Sequence, residues 1–348
     1  MKKMDRRDFI RVSGTAAAGM ALGGCRTGVP ERTENGPLVR EWPRYPERIA
    51  RDVEVFAPLN VKEITLDIGL EKPFDAMHVS DTHVARADSR DDERKIRLAA
   101  DRSRSMNAGE HYLDEAVRIA RERGMYLFHT GDLYDFVSEA NLDCAARHMV
   151  EGDWFVSAGN HEYSKYVGEA KEDEAYKQDS YEAVRAAFPN DLRFADRVIH
   201  GVNFVAVDNV YYNFTERQLE QMKAEMAKGL PVVMLCHVPL YTPEFYKDEM
   251  ERMGGKCAYL CGVPPELTET YEPGVSYPEG EEWRYRKVQQ RADRPTLDFI
   301  AWLKEQKLLK AILCGHMHRF FEGRFSETAV QYTVGATYLG DAQVIHFR

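Results

Sequence analysis

The sequence predicts an α/β fold in one domain, and three observations support this prediction. Short apolar runs that are typical of buried strands alternate with segments of helical periodicity along most of the chain. Five of these runs end in residue types that bind metal ions, as expected where sites gather at the carboxyl ends of strands. The 348 residues are 44% hydrophobic, which is enough for a full core.

The first 24 residues are predicted to be an export signal and not part of the fold. An arginine pair, Arg6-Arg7, precedes an apolar stretch that is too short and too rich in glycine to span a bilayer permanently, which is typical of the twin-arginine route. The stretch ends in Gly24-Cys25 and resembles the bacterial lipobox, so we predict that Cys25 is lipidated and becomes the new N-terminus. The alternative is an ordinary signal peptide with an incidental cysteine.

The charge of the chain restricts its partners. The formal net charge is −10, and removal of residues 1–24 leaves 42 basic and 55 acidic residues, a net charge of about −13. A nucleic-acid polymer is therefore not an expected partner, because its binding requires a basic face. A lipid on Cys25 would hold the acidic body at a membrane of the cell envelope, on the periplasmic or outer side. Residues 25–51 are rich in Pro, Glu and Arg without periodicity, which predicts a tether before a domain at residues 52–348.

The first elements of the domain follow from local patterns. Residues 61–68 alternate apolar and polar side chains, which predicts a half-exposed strand, and residues 74–80 form the next strand. The segment 84–110 is charged, rich in arginine and poor in apolar residues, so we expect a surface excursion. Residues 111–123 have apolar side chains at helical spacing and are followed by Gly124, which predicts a helix that ends there.

The alternation of strand and helix continues to residue 314. Further strands are predicted at 125–130, 154–157, near Val198, 203–208, 231–236 and 309–314. Further helices are predicted at 139–149, 176–188, 215–228 and 295–306, and Thr215 and Gln218 predict a capping box on the third. Residues 320–347 are predicted to form three short strands. The Pro- and Tyr-rich segment 241–294 either forms a wall or lid over a site or is a decorative insertion.

The residues at the ends of the five apolar runs form a set of possible metal ligands. They are Asp81 and His83, Asp132, Asn160 and His161, His237, and His316 and His318. Oxygen and imidazole ligands admit Mn, Fe, Zn or Ni, whereas the six cysteines form no spaced thiolate set. Gly315 has no Cβ that would block a close approach of the loop that carries the last two histidines.

The order and spacing of this set resemble the calcineurin-like metallophosphoesterases, whose pattern is D-x-H, G-D, G-N-H-[DE], a single H and G-H-x-H. The chain has Asp81-Thr82-His83, Gly131-Asp132, Gly159-Asn160-His161-Glu162, His237 and Gly315-His316-Met317-His318. The resemblance covers residues 81–318. It implies two β-sheets packed as a sandwich and flanked by helices, and hydrolysis of a phosphomonoester or phosphodiester at two divalent metal ions.

The resemblance also assigns the metal ligands. It places one metal ion on Asp81, His83 and His318. It places the second ion on Asn160, His237 and His316. Asp132 would bridge the two ions with its two carboxylate oxygens. Two divalent ions roughly 3.5–4 Å apart lower the pKa of a shared water, so that a bridging hydroxide forms near neutral pH, and they neutralise the phosphoryl oxygens that would repel it.

Three further residues receive roles from the resemblance. His161 would contact the substrate and protonate the leaving oxygen as a general acid. Glu162 would orient His161. Asp135 matches a second acid that is common in the family, and we expect it outside the ligand set.

Two branches of the family fit less well. Purple acid phosphatases carry a tyrosine ligand three residues after the Gly-Asp aspartate, where this chain has Asp135, and they begin with Asp-x-Gly. Protein Ser/Thr phosphatases have Arg-Gly where this chain has Phe136-Val137. The N-terminal part of the pattern looks more like the bacterial membrane-associated phosphoesterases and the class III cyclic-nucleotide phosphodiesterases. We therefore expect a small-molecule or lipid phosphoester as the substrate.

The alternative from another functional class is a lipoprotein that retains the metal ions but only binds a phosphorylated surface ligand. His161 argues against it, because a binding protein has no need of an acid for a leaving group.

Residues outside the pattern are predicted to be structural. His129 ends a strand on its own and is expected to be packed or hydrogen-bonded. Cys236 and Cys314 are expected to be small buried side chains. Cys257 and Cys261 could form a disulfide in an exported protein, although their i, i+4 spacing on a helix would give poor geometry.

Overall fold

The computed structural model describes residues 56–167, 172–274 and 278–348. The predicted signal peptide, the tether at 25–51 and the lipidation site Cys25 lie outside these residues. None of the described helices is both long and apolar enough to cross a membrane.

Within the described residues, eleven strands form two sheets. The strands are β1 (Asn60–Leu66), β2 (Phe74–Val79), β3 (Tyr126–His129), β4 (Trp154–Val156), β5 (Phe194–Ile199), β6 (Val202–Val207), β7 (Val232–Leu235), β8 (Leu309–Cys314), β9 (Phe321–Arg324), β10 (Val330–Thr333) and β11 (Asp341–Phe347). The spatial orders are β1-β11-β2-β3-β4 and β5-β6-β7-β8-β10-β9. Strands β2 to β4 are parallel, and so are β6, β7, β8 and β10, so their carboxyl ends lie at one edge of each sheet.

The two sheets face each other across an apolar layer. Phe204 of the second sheet contacts Phe74 and Phe128 of the first, with ring centroids 6.2 and 4.8 Å apart. The outward face of each sheet is also apolar: in β2, Met77 and Val79 point away from this layer toward the helices. Because both faces are covered, the central strands carry apolar side chains on both faces and do not alternate regularly. The predicted two-sheet sandwich is confirmed.

Helices cover both outer faces. They are α1 (Glu93–Met106), α2 (Gly109–Arg123), α3 (Glu139–Glu151), α4 (Glu174–Ala186), α5 (Glu216–Met226), α6 (Pro243–Arg252), α7 (Pro265–Thr268), α8 (Glu281–Gln289) and α9 (Arg294–Lys304). Side chains of α2, α3 and α4 pack on the first sheet, and those of α5 and α9 pack on the second. The capping box of Thr215 and Gln218 is present at the start of α5, as predicted.

The segment 84–110, which we expected to be a surface excursion, is mostly exposed or half-buried, but it contains α1 and the start of α2, which the sequence did not predict. Asp92 caps the first turn of α1. The helix is poor in apolar residues because it buries only a narrow face, and that face includes Arg102. Arg102 tolerates burial because it pairs with Asp135, a partner that no local pattern shows.

His78 on β2 makes the stability of the fold dependent on pH. It is fully buried, with its ring nitrogens 2.9 Å from Thr130 Oγ1 and 3.3 Å from Gln343 Oε1, and burial lowers its pKa to about 4. An unfolded chain protonates this ring near pH 6.5, whereas the folded chain does not, so stability is lost as the pH falls from 6.5 toward 4. Between pH 7 and 4.5, we expect the unfolding free energy of the wild type to fall by about 2–3 kcal/mol more than that of His78→Gln. Urea unfolding at the two pH values measures this difference.

The exposed His111 provides the control for this prediction. His111→Gln should keep the pH dependence of the wild type. An identical loss of stability in His78→Gln and in the wild type would show that His78 does not contribute to it.

Candidate metal centre

Loops from both sheets bring the candidate ligands to one place. The loops after β2, β3 and β4 carry Asp81, His83, Asp132, Asn160 and His161. The loops after β7 and β8 carry His237, His316 and His318. The centre therefore lies where the carboxyl-terminal edges of the two sheets meet.

Five of these residues have a left-handed backbone that non-glycine residues rarely adopt. They are Asp81, His83, Asp132, His316 and His318, with φ between 49° and 68°. Each such conformation costs roughly 1–2 kcal/mol and persists only where surrounding contacts hold it. Backbone hydrogen bonds between the loops do so here: the amide of Asp81 donates to the Gly131 carbonyl, and that of His83 to the Asp132 carbonyl, both at 2.9 Å. Strain concentrated in ligand loops indicates a functional site.

Asp81, His83 and His318 form the first group of ligand atoms. His318 Nε2 lies 3.1 Å from Asp81 Oδ1 and 3.2 Å from His83 Nε2. His83 Nδ1 lies 2.9 Å from Asp135 Oδ1, so the ring is oriented with Nε2 toward the group. The structure thus brings together the residues that the resemblance assigns to one ion.

Asp132, His237 and His316 form the second group. His237 Nε2 lies 3.2 Å from Asp132 Oδ2 and 3.3 Å from His316 Nδ1. The Nδ1–H of His237 donates to the Thr130 carbonyl at 2.7 Å, which leaves the lone pair of Nε2 for an ion.

Asp132 lies between the two groups, and one of its oxygens faces both. Oδ2 is 3.7 Å from His83 Nε2 in the first group and 3.2 Å from His237 Nε2 in the second. Oδ1 accepts a hydrogen bond from the backbone amide of His161 at 2.9 Å. The division of the two oxygens between the ions stays a prediction, because an oxygen that accepts one hydrogen bond keeps a lone pair for a cation.

Two glycines of the motifs permit this close packing. A Cβ on Gly159 would collide with Asp132 Oδ1, and a Cβ on Gly315 would collide with Ser80 Oγ and Asp81 Oδ2. The prediction that Gly315 permits a close approach is confirmed.

The residues of both groups fit divalent cations. In each group two imidazole nitrogens face one another beside a carboxylate, and a cation between them would stabilise this arrangement. Asn160 Oδ1 is buried without a hydrogen-bond partner among the described residues, and a role as a metal ligand would satisfy it. Burial lowers the pKa of His237, but Asp132 and Asp81 outweigh it and raise the pKa to about 10, which reflects concentrated negative charge.

His161 lies beside the first group, with its ring centroid 4.7 Å from that of His83. Its Nδ1–H donates to the backbone carbonyl of Asp135 at 2.6 Å, which leaves Nε2 for a substrate. Burial lowers the pKa of His161, but the carboxylates of Asp132 and Asp135 outweigh it, and the pKa is raised above its ordinary value. A raised pKa favours the protonated ring, as a proton donor requires.

Glu162, which we expected to orient His161, holds the neighbouring backbone instead. Its carboxylate accepts hydrogen bonds from the amides of Gly159, Asp132 and Leu133, at 2.5–2.7 Å. Both carboxylate oxygens of Glu162 accept hydrogen bonds from loop amides. The group that orients His161 is therefore the carbonyl of Asp135. Glu162 supports the centre through the backbone of Asp132.

Arg102 on α1 belongs to the site, and the sequence did not indicate it. Its guanidinium donates two hydrogen bonds to the carboxylate of Asp135, which also contacts His83 Nδ1. His83, Asp135 and His161 are close enough to suggest a third ion site, but the guanidinium already supplies the positive charge there. The one signal in the sequence was the richness in arginine of the segment 84–110, which pointed equally to a charged surface.

Replacement of Arg102 by methionine is expected to lower the unfolding free energy by about 3–5 kcal/mol, because it leaves the buried Asp135 carboxylate without its partner. Denaturant unfolding measures the loss. The double variant Arg102→Met/Asp135→Asn should recover part of it, since the unpaired charge is then gone.

Arg97 on the same helix is the matched control, because its side chain is 70% exposed and forms an ion pair with Glu93 four residues before it. Arg97→Met should change the unfolding free energy by less than about 0.5 kcal/mol. Equal effects at the two positions would contradict a structural role for the Arg102–Asp135 pair.

The segment 241–294 packs against the G-H-x-H loop. Met317, between the two histidines, joins an apolar cluster with Phe245 of this segment. Arg319, directly after the motif, forms an ion pair with Glu249 on α6. The segment therefore supports the loop that carries two ligands, which a purely decorative insertion would not do.

A further group of possible ligand atoms, Asp114, His148 and Glu151, lies between α2 and α3. His148 Nε2 is 2.9 Å from Asp114 Oδ1, and its Nδ1–H donates to the Cys144 carbonyl at 3.0 Å. Burial lowers the pKa of His148, but Asp114 and Cys144 outweigh it and raise the pKa to about 10. This group is an ion pair between helices.

The remaining predicted structural residues are buried. His129 Nδ1 accepts the amide hydrogen of Gly131 at 3.1 Å, and its Nε2 lies 3.0 Å from Thr82 Oγ1, so the ring is hydrogen-bonded as expected. Cys257 and Cys261 are both free thiols, so the possible disulfide is not present. Cys236 and Cys314 are also free and fully buried, as predicted.

Comparison with known proteins shows the family to which this chain belongs. The profile of the calcineurin-like phosphoesterase family matches residues 74–320. No curated protein sequence matches the chain.

Solved structures that match this chain include three hydrolases of low sequence identity. A dimetal phosphatase from Danio rerio is 14% identical with a TM-score of 0.42, and the match covers 77% of this chain and 89% of that one. A putative 5'-nucleotidase from Staphylococcus aureus is 13% identical with a TM-score of 0.38, over 76% of this chain and 49% of that one. A phosphopantetheinyl hydrolase from Mycobacterium tuberculosis is 10% identical with a TM-score of 0.37, over 77% and 91%.

Proposed function

Because this chain belongs to the calcineurin-like phosphoesterase family of metal-dependent phosphoester hydrolases, we propose that it hydrolyses a phosphoester at the two ligand groups described above. The observation that carries the proposal is the position of Asp132 Oδ2, which faces His83 in one group and His237 in the other. One shared carboxylate oxygen between two sets of imidazole nitrogens suits a pair of ions and has little use in a purely structural site.

The two groups supply most of the proposed ligands, and Asn160, whose buried Oδ1 has no hydrogen-bond partner among the described residues, is the remaining one. One ion would be held by Asp81, His83 and His318, the second by Asn160, His237 and His316, and Asp132 would be shared. When bound, two such ions lower the pKa of a shared water and neutralise the phosphoryl oxygens. Mn, Fe, Zn and Ni all suit this donor set.

We propose that His161 is the general acid. The attacking water first loses a proton to solvent. As the resulting hydroxide oxygen bonds to phosphorus and the bond from phosphorus to the leaving oxygen breaks, the Nε2–H of His161 gives its proton to the leaving oxygen. The carbonyl of Asp135 accepts the hydrogen of Nδ1 and so leaves Nε2 for the substrate. Arg102 neutralises the Asp135 carboxylate, which otherwise would lie beside the incoming anion.

We propose a small-molecule or lipid phosphoester as the substrate, because the acidic chain lacks the charge that a nucleic-acid polymer requires. Bis(p-nitrophenyl) phosphate and p-nitrophenyl phosphate, each with added Mn²⁺, test the proposal and distinguish a diesterase from a monoesterase. Turnover that EDTA removes and Mn²⁺ restores is expected on at least one of them. Two bound Mn²⁺ without turnover on either, or on a panel of nucleotides, sugar phosphates and lipid phosphates, would favour the phospholigand-binding lipoprotein.

We propose that the protein is exported and anchored in the cell envelope through Cys25. The support is the Arg6-Arg7 pair, the short apolar stretch and its end in Gly24-Cys25. Fractionation of cells that express the wild type or Cys25→Ser tests this proposal. The wild type should be in the membrane fraction and Cys25→Ser should be released from it, whereas cytoplasmic wild-type protein would refute export.

A further inference from the structure

We propose that Tyr212 is a positioning residue that fixes the ring of His316, so that Nδ1 and not Nε2 is presented to the second ion. This inference rests on the proposed function, because it concerns a ligand of that ion. Tyr212 lies outside every motif of the sequence, in the loop that follows β6.

The contacts of His316 divide between its two ring nitrogens. Nδ1 lies 3.3 Å from His237 Nε2, on the side of the centre, and Nε2 lies 3.1 Å from the hydroxyl of Tyr212. The two rings meet edge to face, with centroids 5.7 Å apart and planes at 75°. With Nδ1 as the ligand, Nε2 carries the hydrogen and donates it to the Tyr212 oxygen.

The two histidines of the G-H-x-H motif present opposite nitrogens. His318 directs Nε2 at Asp81 Oδ1, 3.1 Å away, and its Nδ1 lies 3.4 Å from the hydroxyl of Tyr338. Rotation about the terminal side-chain bond of histidine is soft and can exchange the positions of the two nitrogens. Neighbouring histidines in one loop therefore need separate partners to hold opposite orientations, and each of them has a tyrosine on the nitrogen that faces away from its group.

Tyr212 is itself held rigidly. Its φ of 65° is in the left-handed region, and its amide donates to the Asn209 carbonyl at 2.9 Å. The side chain of Asn209 donates to the Val238 carbonyl at 2.7 Å and accepts from the Val238 amide at 3.0 Å. Val238 follows His237 directly, so these bonds join Tyr212 to the loop that carries the other imidazole of the second group. A strained residue fixed to a ligand loop is expected where orientation matters.

Tyr212→Phe tests the inference, because it removes the hydroxyl and keeps the ring. Calorimetric titration of the metal-free protein with Mn²⁺ should show one of the two ions bound 10–100-fold more weakly and the other unchanged. Tyr338→Phe, which removes the corresponding contact of His318, should weaken the other ion instead. A general loss of stability would not weaken the binding of a different ion in each of the two variants.

Tyr211 is the matched control. It precedes Tyr212, both residues are 7% exposed, and its hydroxyl has no hydrogen-bond partner among the described residues. Tyr211→Phe should bind both Mn²⁺ ions as the wild type does.

Two results would overturn the role of Tyr212 and leave the proposed function intact. One is unchanged affinity for both ions in Tyr212→Phe. The other is a raised KM with unchanged metal affinity, which would make Tyr212 a substrate contact. Wild-type protein that binds two ions but hydrolyses no phosphoester would contradict the proposed function and not this inference, since the affinities of the variants could still be compared.

Discussion

Replacement of Asp132 by asparagine is expected to remove both metal ions and turnover together. Oδ2 of Asp132 faces His83 in one group and His237 in the other, so this single substitution should weaken the binding of both ions. Asparagine has nearly the same shape but is neutral, and only one of its side-chain atoms is an oxygen, so it cannot both accept the His161 amide hydrogen and bridge two cations. We expect turnover to fall at least ~1,000-fold, about 4 kcal/mol of transition-state stabilisation.

Metal content by mass spectrometry and turnover of a p-nitrophenyl ester measure the two effects in one preparation. Asp67→Asn, an exposed carboxylate after β1, is the control and should retain both metals and activity. If Asp132→Asn retained activity, Asp132 would not be the bridging ligand.

His161→Ala is expected to keep both metal ions and to slow turnover by about 100- to 10,000-fold, the usual contribution of a general acid. The metals should remain because the resemblance assigns His161 to the substrate, and its ring lies beside His83 with Nδ1 held by the Asp135 carbonyl. The hydrogen bond to Asp132 Oδ1 comes from the backbone amide of residue 161, which alanine keeps.

The leaving group supplies an internal control for this variant. p-Nitrophenolate departs without a proton, whereas an alkoxide requires one, so the slowing should be greatest for alkyl phosphoesters. Equal slowing for both kinds of ester would indicate that His161 positions the substrate and does not protonate it. Loss of a metal ion from His161→Ala would instead place His161 among the ligands.

The sequence predicted the strands, most helices and the ligand set because these depend on local signals. Apolar runs mark buried strands whatever their neighbours, and the ligand motifs stand directly after them, where the chain must leave the sheet. The sequence did not predict α1 in the segment 84–110, because its local signals for a helix are weak. The buried face of α1 is narrow and includes Arg102, whose partner Asp135 lies 33 residues away.

Local sequence signals also do not predict the roles of single atoms. A motif predicts that Asp132 is shared, but only the structure shows that its Oδ2 faces both groups and that its Oδ1 accepts the amide hydrogen of His161, 29 residues away. Glu162 follows His161 directly, yet its carboxylate binds loop amides because the loops after β3 and β4 meet there.

The sequence alone therefore determined which residue types stand at the strand ends, and with them the family and the candidate ligands. Only the tertiary structure decided which atom of each residue faces the centre and which side chains hold it there. Arg102 on Asp135 and Tyr212 on His316 are contacts between segments far apart in the chain. The reason is that a residue type sets what a side chain can donate or accept, whereas its direction is set by neighbours that folding brings together.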